Sequence, residues 1–227
     1  MKIKNHSVFN NGMETLNRDH LRNSEIDKPY FLPFKKEDYL LKVQVNEPSN
    51  LIKTIIKELE NTGLKKVFSI GSGTAYQEYQ LKKFSDLKVV VSDYNSSVLR
   101  LKQFEVFDDA LQFDALQDPF PVDESWAILL PRIDTEFDDE QLKELFFKCH
   151  SAGIKQIYFI PAELLSFRII MVQLKEILKS LIKRKPLVFC GYARNMSSFK
   201  KIWAPYYQLS KKYNKDKQIY FLLSKTI

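Results

Sequence analysis

Apolar positions along this chain change rhythm repeatedly, and each change marks an element. Leu51, Ile55, Ile56 and Leu59 recur at helical spacing, with Pro48 and Ser49 before them and Gly63 after them. The spacing predicts a helix there. Residues 66–70 (KVFSI) form a short apolar run, read as a strand, and residues 75–84 a helix. Residues 87–93 (LKVVVSD) are apolar on consecutive positions, as in a strand covered on both faces. Residues 96–104 are helical, 110–114 a third strand and 126–133 a fourth. A helix with acids in its first turn spans 138–153 and ends on Gly153. Residues 155–161 make a fifth strand, and 163–184 a long amphipathic helix.

Alternating strands and helices at this spacing predict a parallel sheet with helices on both faces. The end of the chain departs from the alternation. Residues 206–213 and 218–225 flank a polar turn, NKDK, which signals a hairpin and an antiparallel last strand. The expected fold is therefore α/β, doubly wound, with a mostly parallel seven-stranded sheet. Residues 1–47 are polar and irregular apart from an aromatic, proline-containing stretch, and read as an arm or lid over a main domain at 48–227.

Composition narrows the class. The 227 residues suit one α/β domain with an appendage, and 44% hydrophobic with 28% charged residues fits a globular protein. Two cysteines in separate segments, Cys149 and Cys190, point to a reducing, cytoplasmic setting and to small buried side chains. No run is long enough for a membrane span or a secretory signal. His6, His20 and His150 are scattered without metal-ligand spacing, so no metal is expected. The net charge of +7 is uneven: residues beyond Lys183 are almost purely basic, and Asp108 to Glu144 is acidic. That polarity suits steering of an anionic acceptor or a nucleic acid, or is simply a solvated lysine-rich surface.

Only six glycines occur, yet Gly71 and Gly73 stand two apart directly after the first strand. Glycine there turns the backbone sharply and leaves no Cβ between chain and ligand. Asp93 ends the next strand, and in a doubly wound sheet both loop ends share the carboxyl edge. A carboxylate so placed can accept both hydroxyls of a ribose. The alternative is a plain βα turn beside a surface Asp. Tyr76 occupies the place of a dinucleotide fingerprint's third glycine and argues against a pyrophosphate.

The stretches VFSIGSGTA, VVVSDYNSSVLRL and FDALQDPFP resemble the first three motifs of the class I S-adenosylmethionine (SAM)-dependent methyltransferases. The resemblance covers roughly residues 50–227 and implies a Rossmann-like sheet, SAM as cofactor and methyl transfer. It implies that Gly71 and Gly73 face the methionine end, Asp93 the ribose, Tyr94 the adenine and Asp114 its amine, with Ser72 and Ala115 in the same shell. Two positions depart from the pattern. Ser69 stands where the family commonly has an acid, for which Glu78 can substitute, and Ala75 replaces the third glycine.

An acceptor should lie over the ends of the fourth and fifth strands, near Arg132, Asp134 and Glu136, with Glu163 on the next loop. Asp134 is a candidate base and Arg132 a candidate anion holder; a charged loop with a helix cap is the bland alternative. Tyr192, Arg194 and Trp203 are expected to line the acceptor pocket or stack on a base, the alternative being that Phe189, Tyr192, Phe199 and Trp203 pack under the hairpin; Tyr30, Phe31 and Phe34 are expected to form a lid. The leading expectation is a small-molecule or glycan methyltransferase. A nucleic-acid methyltransferase using the basic C-terminal region, and a non-catalytic binding protein, are the alternatives.

Overall fold

A computed structural model describes residues 1–8, 18–23, 30–215 and 218–226. Its nine strands and eight helices are β1 (Lys2–Ser7), α1 (Arg18–Asn23), α2 (Lys36–Val43), α3 (Asn50–Thr62), β2 (Lys66–Ile70), α4 (Tyr76–Lys83), β3 (Lys88–Asp93), α5 (Leu99–Gln103), β4 (Asp109–Gln112), β5 (Ala127–Pro131), α6 (Asp139–Ser151), β6 (Gln156–Ile160), α7 (Phe167–Lys183), β7 (Val188–Arg194), α8 (Met196–Trp203), β8 (Tyr207–Lys215) and β9 (Gln218–Lys225). Of the hairpin turn expected at NKDK, Asp216 and Lys217 lie outside the described residues, as do parts of the N-terminal arm.

Seven strands form one sheet in the order β4-β3-β2-β5-β6-β9-β8. The five from β4 to β6 are parallel, while β9 runs antiparallel to both β6 and β8. Successive strand residues alternate between two cores. Val67, Val89 and Leu129 pack with α3 residues such as Ile52 and Ile55. Phe68, Val90 and Ile128 pack with Leu142 and Phe146 of α6 and with Phe199 and Trp203 of α8. Both faces are covered, and this is why the central strands carry continuous apolar runs. The chain order reverses between β2 and β5, so the loops after these strands flank a crevice at the carboxyl edge, the general ligand position of such sheets.

The expected stops act as read. Ser49 caps α3 and Gly63 ends it in the left-handed conformation (φ 69). Asp138 and Gln141 form a reciprocal capping box on α6. A second, two-stranded sheet was not expected: β1 pairs antiparallel with β7, with a bulge at Asn5/His6. The two strands lie nearly the whole chain apart, and neither carries a periodicity that announces a partner.

Candidate functional site

The loop leaving β2 is built from left-handed residues: Gly71 (φ 74), Gly73 (φ 61) and Ala75 (φ 54). The backbone N–H groups of Gly71 and Ser72 both donate to the Ser92 carbonyl at 2.9 Å, folding the loop against the end of β3. Ala75 pays the steric cost of its Cβ there, about 1 kcal/mol, so it is a strained stand-in for glycine. At Gly73 the need is double. A Cβ would sit 2.7 Å from the Arg22 guanidinium, and the residue already has positive φ.

Glycine loop and acid meet directly. The Gly73 N–H donates to Asp93 Oδ2 at 2.8 Å, and the Asn95 N–H donates to Oδ1 at 2.9 Å. The carboxylate is thus oriented by backbone at the rim of the sheet. Ser72 Oγ in the loop and Gln77 Oε1 on α4 are buried with no partner among the described residues.

Ser69 and Glu78 also come together. The Ser69 hydroxyl donates to Glu78 Oε1 at 2.5 Å, and both side chains are buried. Burial pushes the Glu78 carboxyl from its ordinary 4.5 up to about 7; the Ser69 bond opposes the rise and the nearby Asp93 charge adds to it. Ser69 on β2 and Glu78 on the first turn of α4 thus form one buried pair.

The N-terminal arm covers this cradle. Arg22 on α1 lies 4.0 Å from Asp93 Oδ2 and is held by the Tyr30 carbonyl at 3.1 Å. The Leu32 N–H donates to the Arg22 carbonyl, and Arg100 ties the arm down through the Leu32 carbonyl and Asn23. From α2, the Tyr39 hydroxyl donates to the Thr74 carbonyl in the glycine loop. Of the aromatic lid residues, Tyr30 and Phe34 remain exposed, with Phe34 under the Arg100 guanidinium at 4.4 Å. Arg22 and Tyr39 were not singled out in the sequence. A polar arm carries no periodicity, and nothing but tertiary packing brings it to Gly73.

On the other flank, Tyr94 follows Asp93 and is 71% exposed, its carbonyl accepting from Gln112 Nε2. Asp114 and the buried Ala115 follow β4. Asp114 Oδ1 accepts from the Leu116 and Gln117 N–H groups, so that oxygen is committed to its own turn.

The acceptor candidates divide. Arg132 leaves β5 in the left-handed conformation (φ 58) and points to an exposed position. Asp134, in the short 3-10 turn Ile133–Thr135, is fully buried. Its Oδ1 accepts from the Ala162 N–H at 2.9 Å, and Oδ2 has no partner among the described residues. Burial raises its carboxyl to about 6, opposed by the Ala162 bond and the Arg194 charge. Glu136 is exposed and bonded by the Thr135 hydroxyl, and Glu163 pairs with Arg168 at the surface.

Arg194 lies in the interior. It is fully buried, and its guanidinium donates to Asp139 Oδ1 at 2.8 Å and to the carbonyls of Asp134 and Phe137 at 2.5 and 2.6 Å. It clamps β7 to the loop after β5, its guanidinium engaged by these three partners. Trp203 is likewise core, stacked on Phe199 against Phe221 beneath the hairpin. Tyr192 is half-buried beside Arg194, with Lys2 over its ring. A groove of about 500 Å³ opens beside it, between Lys2–Lys4 and Asp138–Glu140; none of the glycine-loop residues line it. Cys149 is buried as expected, whereas Cys190 is only partly so. Among the described residues no cluster of His, Cys, Asp or Glu could hold a metal.

No protein-family model matches this chain, and no curated protein matches its sequence. Solved structures do. Human N-acetylserotonin methyltransferase, in complex with SAM, is similar over 91% of this chain and 58% of its own, with TM-score 0.58 and 16% identity. The mitomycin 7-O-methyltransferase aligns over 72% of this chain and 50% of its own, at TM-score 0.56 and 14% identity. Magnesium protoporphyrin IX methyltransferase from Synechocystis PCC 6803, with bound SAH, aligns over 92% and 98%, at TM-score 0.59 and 11% identity. The chain thus spans about half of the first two and nearly all of the third. The fold is that of the class I SAM-dependent methyltransferases, with its Rossmann-like sheet and antiparallel closing hairpin.

Proposed function

We propose that the chain is a SAM-dependent methyltransferase acting on a small-molecule acceptor, with its cofactor site between the glycine loop and Asp93. The observation that carries this reading is the bond from the Gly73 N–H to Asp93, which joins a Cβ-free loop and an oriented carboxylate at the crevice. Neighbours solved with SAM or SAH bound support the same cofactor. The residues fit the group. In this reading Asp93 takes the ribose diol, Gly71, Ser72 and Gly73 the methionine end, Glu78 with Ser69 the ammonium, and Tyr94, Asp114 and Ala115 the adenine.

When bound, the cofactor supplies an electrophilic methyl group on a sulfonium. The chain has then mainly to align the acceptor and exclude water. Where the acceptor carries a proton, Asp134 is the base in this reading: its buried, unpartnered Oδ2 belongs to a carboxyl more basic than usual. Arg132 is the group that would hold an anionic acceptor.

One observation favours a second reading, a binding protein without turnover: the Arg22 guanidinium lies against Asp93 in the cradle. Calorimetric titration with SAM separates the two. Methyltransferase function expects saturable heat, and Asp93→Ala should abolish it while the fold remains. No heat at high protein concentration would favour the second reading, and unchanged affinity in Asp93→Ala would remove the ribose assignment.

A further inference from the structure

Helix α7 is attached to the protein the wrong way round for a core helix. Its inward side is mostly polar. Gln173 accepts from the His6 N–H at 2.7 Å, and Glu176 accepts from the Val8 N–H at 2.8 Å and from the Ser7 hydroxyl at 3.3 Å. Of its 17 residues only Ile169 is buried. The apolar residues point outward instead. Phe167 is 76% exposed, Leu181 70% and Ile182 81%, with Met171, Leu174 and Leu178 between them about half exposed. At 100° per residue these six fall within an arc of about 100° and make one continuous ridge, ~23 Å long. A monomeric protein rarely leaves so large an apolar face to water.

Charge says what the ridge meets. Arg168, Lys175, Lys179 and Lys183 run along one edge of it, and Arg184 and Lys185 follow at its end. The only acid within α7, Glu176, is turned inward onto β1, where it also pairs with Lys179 at 3.3 Å, and Arg168 pairs with Glu163 just before the helix, so Lys175, Lys183 and the following Arg184 and Lys185 carry most of the edge's charge. An apolar face edged by cations is the pattern of a helix lying in the headgroup layer of an anionic bilayer. A second copy of the chain would bring the same cations against these and be repelled. Nor can α7 span a bilayer: no helix among the described residues is long and apolar enough.

We propose that the outer face of α7 is a docking surface for anionic phospholipid membranes. Phe167, Leu178 and Leu181 enter the acyl boundary, and the lysine edge sits among the phosphates. The proposal is independent of the cofactor reading. Because α7 begins just beyond β6, the ridge starts at the carboxyl edge of the sheet and docking would hold that edge close to the lipid.

The test is co-sedimentation of the full chain with vesicles of phosphatidylglycerol and phosphatidylcholine, against phosphatidylcholine alone. Anionic vesicles should bind it at least ~10-fold more tightly, and less tightly as salt rises. The pair L178D/L181D should weaken binding at least ~10-fold with an unchanged circular dichroism spectrum, since both side chains point to solvent. Charge reversal by K175E/K179E/K183E should remove most of the salt dependence. Leu181→Trp gives a readout in an otherwise intact chain: its emission should shift to the blue on adding anionic vesicles. Absence of binding, no emission shift, or binding indifferent to L178D/L181D overturns the proposal. A wild-type dimer at micromolar concentration that L178D/L181D dissolves also overturns it and assigns the face to a second copy.

Discussion

Replacing Glu78 by Gln isolates the cost of keeping an acid buried beside Asp93. The amide retains the shape and still accepts the Ser69 hydroxyl, so packing and that 2.5 Å bond are preserved. Titration is lost. In the folded wild type the carboxyl holds its proton up to about 7, against an ordinary 4.5. Below the lower value both states are protonated, and the contribution to stability is fully present. Between the two values the unfolded chain releases its proton while the folded one keeps it, so stability falls as pH rises, and above the upper value the loss is complete. From about pH 5 to about pH 8 the loss amounts to about 2.5 kcal/mol. Glu78→Gln should therefore gain about that much on the wild type across the same interval, read as a relative shift of about 1 M in urea midpoint. Other carboxylates titrate alike in both proteins and cancel in the difference. A stability difference that stays constant between the two pH values would refute the reasoning. The same variant should bind SAM more weakly, because the amide offers no charge to an ammonium group.

Arg22→Ala should tighten SAM binding by about fivefold, since a partly buried ion pair worth about 1 kcal/mol no longer competes for Asp93; calorimetry reads this directly, and weaker binding would make Arg22 a ligand instead of a cover. Arg194→Ala should cost about 3 kcal/mol or more by chemical denaturation, because two carbonyls and the Asp139 carboxylate lose their buried donor; a cost under about 1 kcal/mol would contradict the clamp. Gly191→Ala should lower the melting temperature by several degrees, about 4 °C or more: its φ is +123, and a Cβ would sit 2.6 Å from the Thr135 carbonyl oxygen.

Much of the architecture was legible in the order of residues. The continuous apolar runs of β3, β5 and β6 announce strands covered on both faces, because only a sheet sandwiched between helices can bury consecutive side chains. Gly71, Gly73 and Asp93 announce the crevice, because left-handed backbone and a strand-ending acid are local requirements that particular residues meet. Such features are set within a few residues of one another, and the chain itself carries them. Glu78 was legible as a substitute for the acid missing at Ser69, but the 2.5 Å bond between them exists only once α4 packs on the sheet. What depends on distant segments meeting was not legible. The aromatic and basic stretch around Arg194 offered a pocket and a core equally well, and packing of β7 against β1 and the loop after β5 made Arg194 and Trp203 structural. The amphipathic period of α7 showed that one side is apolar. Only the tertiary structure decided that this side faces out, because β1 approached from a remote part of the chain and took the polar one.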